Sequence, residues 1–134
     1  MKVAYIFSTT GHTVSYKLGK MILPQLEQGI HEAQVVAMFF FDDNVYALRA
    51  GDPLGERLAR VAKEQQILLM LCDQCALERG LAELEEPPPV DAAGNLQSPL
   101  KTRPKGTVAG VEVGCFPDLY AALGEAPPDH VITL

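Results

Sequence analysis

The stretch Ile67-Leu68-Leu69-Met70-Leu71-Cys72-Asp73-Gln74-Cys75-Ala76-Leu77-Glu78-Arg79-Gly80 joins two patterns with no linker between them. Ile67 to Leu71 contains no polar residue, which suits a central β-strand covered on both faces and ending at Cys72. Asp73 can then cap a short helix that carries Cys75, Ala76 and Leu77, with Arg79 in its last turn and Gly80 as its C-terminal cap.

The same alternation runs outward in both directions. Upstream, Val3 to Phe7 reads as a buried strand entering a polar turn at Ser8 to His12. Helical spacing begins near His12 or Thr13, with Val14, Leu18 and Met21/Ile22 on one face, and Pro24 predicts a kink or an end before a loop through Gly29. Gln34 to Phe41 is a second buried strand, broken by Asp42-Asp43-Asn44, and Val45 to Leu48 can form a single helical turn. Asp52-Pro53 supplies an N-cap with proline at the first helical position, ahead of the stripe Leu54, Leu58, Val61 and Ala62. Downstream, Val108 to Val113 is a fourth strand ending at Gly114-Cys115. Pro117 opens a helix with Leu119, Ala122 and Leu123 inward, and Val131 to Leu134 is a fifth strand. Residues 85–106, with Pro87-Pro88-Pro89, Gly94-Asn95, Pro99, Pro104 and a basic cluster of Lys101, Arg103 and Lys105, read as a long surface loop.

Strands alternating with helices imply an α/β fold: one domain over residues 1–134, a five-stranded parallel sheet, doubly wound, with helices on both faces. The expected strand order is 2-1-3-4-5, which puts a ligand site beyond the carboxyl ends of the strands, between the first and the third.

Composition narrows the function. Eleven Lys and Arg against 17 Asp and Glu give a net charge of −6, which disfavours nucleic acid and anionic membranes as partners. The longest apolar runs are strand-sized, far below the roughly 20 residues that cross a bilayer. Three cysteines, two of them spaced C-x-x-C, read as reactive or metal-binding thiols in a reducing compartment, so the expected location is the cytoplasm.

The strand ends gather the chemistry. Cys72 ends the third strand, Cys75 lies one helical turn on, Cys115 ends the fourth strand, and His12 follows the first. Cys72, just before a helix N-terminus, is placed for a depressed thiol pKa, and a protonated His12 nearby would act in the same direction. Against this, cysteine is among the most buried residue types, His12 can be an ordinary helix-start residue, and Asp42-Asp43 can be a plain polar turn.

At Leu71-Cys72-Asp73-Gln74-Cys75-Ala76-Leu77-Glu78-Arg79-Gly80-Leu81 the sequence resembles the DsrE-like family of sulfur-relay proteins, in which a cysteine ends the third strand and an Arg-Gly pair follows a short helix. The likeness extends over most of the chain outside residues 85–106. It implies the five-stranded parallel fold, a homo-oligomer (trimer or hexamer), and a persulfide on Cys72 passed between sulfur donor and acceptor proteins, as a sulfurtransferase or carrier without a cofactor. Cys75 and Cys115 depart from a single-cysteine pattern and are candidate resolving thiols.

Other readings stay open. Cys72, Cys75, Cys115 and His12 could form a closed zinc or iron-sulfur site. Ser8-Thr9-Thr10-Gly11-His12-Thr13 matches the phosphate loop of flavodoxins and could cradle FMN. A non-catalytic oligomeric subunit that docks a partner through its Pro-rich loop is the remaining possibility.

Overall fold

The computed structural model describes residues 1–134. Five parallel strands form the main sheet: β1 (Lys2–Phe7), β2 (Gln34–Phe40), β3 (Leu68–Cys72), β6 (Val111–Gly114) and β7 (His130–Thr133). They stand in the order β6-β3-β2-β1-β7. Numbering only these five along the chain, the order is 4-3-2-1-5, and the expected 2-1-3-4-5 is corrected. The expected order leaves the second strand at an edge. Gln34–Phe40 is instead buried at every position but the first, because Val35 to Phe40 is apolar on both faces and only the middle of a sheet covers both. β7, exposed along its whole length, takes an edge.

This order fixes where the helices go. Three successive right-handed crossovers, β1 to β2 to β3 to β6, move in one direction and put their helices on one face. That face holds a core of 23 buried residues, among them Leu18, Leu23, Phe40, Leu58, Val61 and Leu71. The return from β6 to β7 runs the other way, so α4 (Phe116–Glu125) packs on the opposite face, where Leu119 meets Phe39 and Met70. Helices thus cover both faces, unequally. The point where the order reverses lies between β1 and β7 rather than between the first and third strands.

Local differences have local causes. Pro24 does not end the first helix. A π-helical segment (Thr13–Ile22) continues into α1 (Leu23–Gln28), the Leu23 N–H reaching back five residues to the Leu18 carbonyl, and Pro24, which has no N–H to give, follows where the π turns pass into α turns. Gly29, at φ 70°, closes α1. Asp42 to Leu48 form a 3-10 helix rather than one turn over Val45 to Leu48. α2 (Pro53–Gln65) begins as expected, with Asp52 Oδ1 accepting the N–H groups of Leu54 and Gly55 at 2.9 and 3.1 Å. Gly55 allows the close approach of α2 to the 3-10 helix: a Cβ there would lie 2.2 Å from the Ala47 carbonyl oxygen.

α3 (Asp73–Glu78) follows β3 directly. The 85–106 segment is more ordered than a loop. β4 (Ala82–Leu84) and β5 (Thr102–Pro104) pair antiparallel across its base, and Leu100 is buried. No helix of the structure is long and apolar enough to cross a membrane.

At the opposite end of the strands, Tyr5 Oη hydrogen-bonds to His31 Nε2 at 2.9 Å, and His31 Nδ1 to Gln25 Oε1 at 2.9 Å. The amide oxygen only accepts, so Nδ1 carries a proton, and in the neutral ring Nε2 accepts from the Tyr5 hydroxyl. Burial holds the His31 pKa below its ordinary 6.5. The unfolded chain therefore takes up this proton first as pH falls, and stability drops as pH falls below 6.5. Urea unfolding from about pH 7.5 to 5 should show this loss in the native protein and a smaller one in His31→Gln. Equal slopes in the two proteins contradict the assignment.

Candidate functional site

Alternation along β3 sends Leu69 and Leu71 into the large core and Met70 and Cys72 toward α4. Cys72 is both the last residue of the strand and the N-cap of α3, its Sγ accepting the Cys75 N–H at 3.4 Å. One turn of α3 later, Cys75 packs against the large core and comes under the turn that leaves β2. There the Asp42 N–H donates to Cys75 Sγ at 3.2 Å. Asp42 takes a left-handed backbone conformation, φ 51°, which aspartate tolerates better than most residues.

Arg79 closes the far end of α3 over this turn. Its Nε bonds Asp43 Oδ1 at 2.9 Å, and its Nη1 bonds the Cys75 carbonyl at 3.2 Å. The pairing with Asp43 raises the Arg79 pKa further above its ordinary value. The guanidinium side chain is only 19% exposed against 68% for Asp43, so this cation is held close to the cysteine turn rather than free in solvent.

The two half-buried thiols are therefore not equivalent. A hydrogen bond from Cys72, the Asp42 N–H and the charge of Arg79 together lower the Cys75 pKa to about 7, against the opposing effects of burial and of the Asp42 carboxylate. The Cys72 pKa is raised, because Cys72 gives its hydrogen bond to Cys75 and is itself partly buried. The arrangement favours a thiolate on Cys75 over one on Cys72, a nucleophile with a neighbouring sulfur able to attack what forms on it.

Asp73, only 1% exposed, anchors the other side of α3. Its Oδ1 accepts from Ser98 Oγ at 2.8 Å and its Oδ2 from the Leu100 N–H at 2.9 Å, while Gln74 Nε2 donates to Ser98 Oγ at 2.9 Å. The long segment is thereby strapped across the start of the cysteine helix. From the sequence Asp73 has a capping role alone, and its position between two cysteines is the one signal of a further role. Asn44 reads in the sequence as part of a polar turn. It is buried and donates from Nδ2 to the carbonyls of Phe7 and Thr9 at 3.1 and 3.2 Å, tying the turns after β1 and β2 together.

The other sequence candidates lie farther out. Cys115 follows Gly114, which pairs with Cys72 across β6 and β3, so it borders the pair on the α4 side. Its N–H donates to Asp118 Oδ2 at 2.7 Å. His12 is exposed at the start of the π-helical segment, and β2 separates its strand from β3. The closed Cys3His site is not formed: no three His, Cys, Asp or Glu side chains converge as a ligand group. The FMN reading meets a different obstacle. The N–H groups of Ser8 and Thr9 both donate to the Leu134 carbonyl, at 2.8 and 3.0 Å, so these two amides of the loop are turned to β7 rather than to a phosphate.

No curated protein sequence matches this one. Among solved structures, the chain is similar to a protein of unknown function, MTH1491, from Methanobacterium thermoautotrophicum. The two share 10% identity with a TM-score of 0.58, covering 99% of this chain and 98% of that one, a likeness of fold alone. The model of the DsrE/DsrF-like family matches residues 1–133. That match takes in every strand of the main sheet together with the C-x-x-C turn, and by it the chain belongs to the DsrE/DsrF-like family.

Proposed function

We propose that this protein accepts and hands on sulfane sulfur, as a carrier or sulfurtransferase, and that the receiving atom is Cys75 Sγ with Cys72 as its partner. The observation that carries this reading is the Asp42 N–H aimed at Cys75 Sγ at 3.2 Å, beside the Arg79 guanidinium. Family membership supports sulfur as the cargo, since the family is generally linked to sulfur relay. The resemblance by itself points to Cys72. What favours Cys75 is that it has the external donors, whereas the amide on Cys72 is that of Cys75 itself.

The step balances without a cofactor. Cys75 thiolate attacks the outer sulfur of a donor persulfide R–S–SH; the new S–S bond forms as the old one breaks, and R–S⁻ leaves with its electron pair. Cys75 then carries S–SH. An acceptor thiolate can take that outer sulfur and restore Cys75 thiolate. Alternatively, Cys72 thiolate attacks the inner sulfur, releasing hydrosulfide and leaving a Cys72–Cys75 disulfide that an external thiol reduces. Cys115, bordering the pair, is a second resolving candidate, and His12 an electrostatic helper only if the turn after β1 moves.

Apolar side chains left exposed on α4 and the edge strand, Phe116, Tyr120, Val131 and Ile132, support a homo-oligomer. Protein donors and acceptors in the cytoplasm complete the reading. To test it, reduced protein is incubated with inorganic polysulfide, and intact mass is followed by peptide mapping. One added sulfur on the Cys75 peptide is expected. No added sulfur on any cysteine overturns the function.

A further inference from the structure

A cleft of about 380 Å³ lies beside the thiolate turn, between the start of the π-helical segment, the 3-10 helix and the N-terminus of α2. No cysteine lines it. Its one basic lining residue is Arg49, whose guanidinium stacks on the Tyr46 ring at 4.9 Å and pairs with no carboxylate. Two carboxylates, Asp43 and Asp52, line the same cleft, and the Ser15 hydroxyl adds a polar contact.

From this arrangement we infer that the cleft binds the zwitterionic head of a small α-amino acid bearing a thiol or persulfide, its carboxylate on Arg49 and its ammonium toward Asp43 and Asp52. The charge pattern selects this class. Asp43 and Asp52 each keep one carboxylate oxygen clear of the contacts they make with Arg79 and with the first N–H groups of α2, so a simple anion at Arg49 would meet negative charge and a simple cation would leave the guanidinium without a counter-charge. A zwitterion answers both, and planar guanidinium recognition of a carboxylate is a strong, geometrically specific contact. The cleft volume lies at the small-ligand end of the usual range.

The inference rests on the proposed sulfur function and supplies its small-molecule donor. Asp43 is the shared wall: it lines the cleft, pairs with Arg79 at 2.9 Å, and follows Asp42, whose N–H meets Cys75 Sγ. A thiol or persulfide on a head group held at Arg49 must pass this rim to reach Cys75, which does not itself line the cleft. The transfer is then the one written above, with R–S⁻ as the amino-acid thiolate that departs.

The test separates binding from sulfur chemistry. Calorimetric titration with S-methyl-L-cysteine, which cannot transfer sulfur, should show saturable binding to the native protein, weakened about tenfold in Arg49→Gln and less in Arg49→Lys. Sulfate and methylamine should not compete. In parallel, Arg49→Gln should lower loading from cysteine persulfide relative to loading from inorganic polysulfide by a similar factor. Absent S-methyl-L-cysteine binding, or equal binding in Arg49→Gln, overturns the cleft assignment even where polysulfide loads Cys75. Binding that depends on Arg49 in a protein that no donor can load confirms the cleft and sinks the sulfur function instead.

Discussion

Cys75→Ser no longer retains sulfane sulfur after treatment with a persulfide donor, whereas Cys72→Ser still loads and then releases its sulfur more slowly as hydrosulfide. The first result follows because serine at position 75 offers no thiolate at neutral pH. The second follows because Cys72 acts after loading, as the sulfur that attacks the Cys75 persulfide. Loading by the native protein should also fall as pH drops through about 7, since below that value Cys75 is a neutral thiol. Cys72→Ala and Cys72→Ser differ informatively. The strongest influence lowering the Cys75 pKa is the Cys72 hydrogen bond, which serine can still donate and alanine cannot. The pH dependence of loading therefore moves upward in Cys72→Ala more than in Cys72→Ser. Sulfur that stays in Cys75→Ser and vanishes in Cys72→Ser moves the carrier role to Cys72.

Asp73→Ala destabilises the protein by about 2–4 kcal/mol, because the Leu100 N–H and the Ser98 hydroxyl lose their acceptors at a buried site. The loss is not confined to global stability. Asp73 is the attachment point of the long segment on α3, so residues 85–101 detach before the sheet unfolds and become open to trypsin at Lys101 under native conditions. Asp73→Asn keeps one acceptor oxygen and should lose less than half as much. Urea midpoints and limited proteolysis measure the two effects. An unchanged midpoint together with an uncut strap shows that the carboxylate does not hold the segment.

Much of the architecture is legible in the sequence because parallel strands buried on both faces carry uninterrupted apolar runs. Val3 to Phe7, Val35 to Phe40 and Leu68 to Leu71 fall where that rule puts them, and the Asp52-Pro53 start of α2 is fixed by local capping chemistry. Lateral order is a different kind of information. Any right-handed crossover of adequate length can step to either neighbour position, so the usual order for a domain of this size was no guide. The signal that could have decided it was the length of the apolar run at residues 35–40, which an edge strand does not need. The 85–106 segment hid its order because its anchors are long-range polar contacts to Asp73 and Gln74, without periodicity of their own.

The candidate site divides along the same line. The C-x-x-C turn and its place at the end of the third strand follow from local pattern. Which thiol is the more acidic depends on the Cys72 hydrogen bond together with the Asp42 N–H and Arg79, and no spacing rule conveys the Asp42 contact, which reaches Cys75 from another strand turn. The emphasis on Cys72 came from the helix N-terminus it caps, but the amide there belongs to Cys75, and the stronger set of donors converges one turn later.

Ultraviolet thiolate absorbance against pH tests most directly whether the site's thiolate resides on Cys75. The native protein should develop one thiolate with a midpoint of about 7, absent in Cys75→Ser and shifted upward in Cys72→Ala. A midpoint of about 7 that persists in Cys75→Ser and disappears in Cys72→Ser contradicts the account.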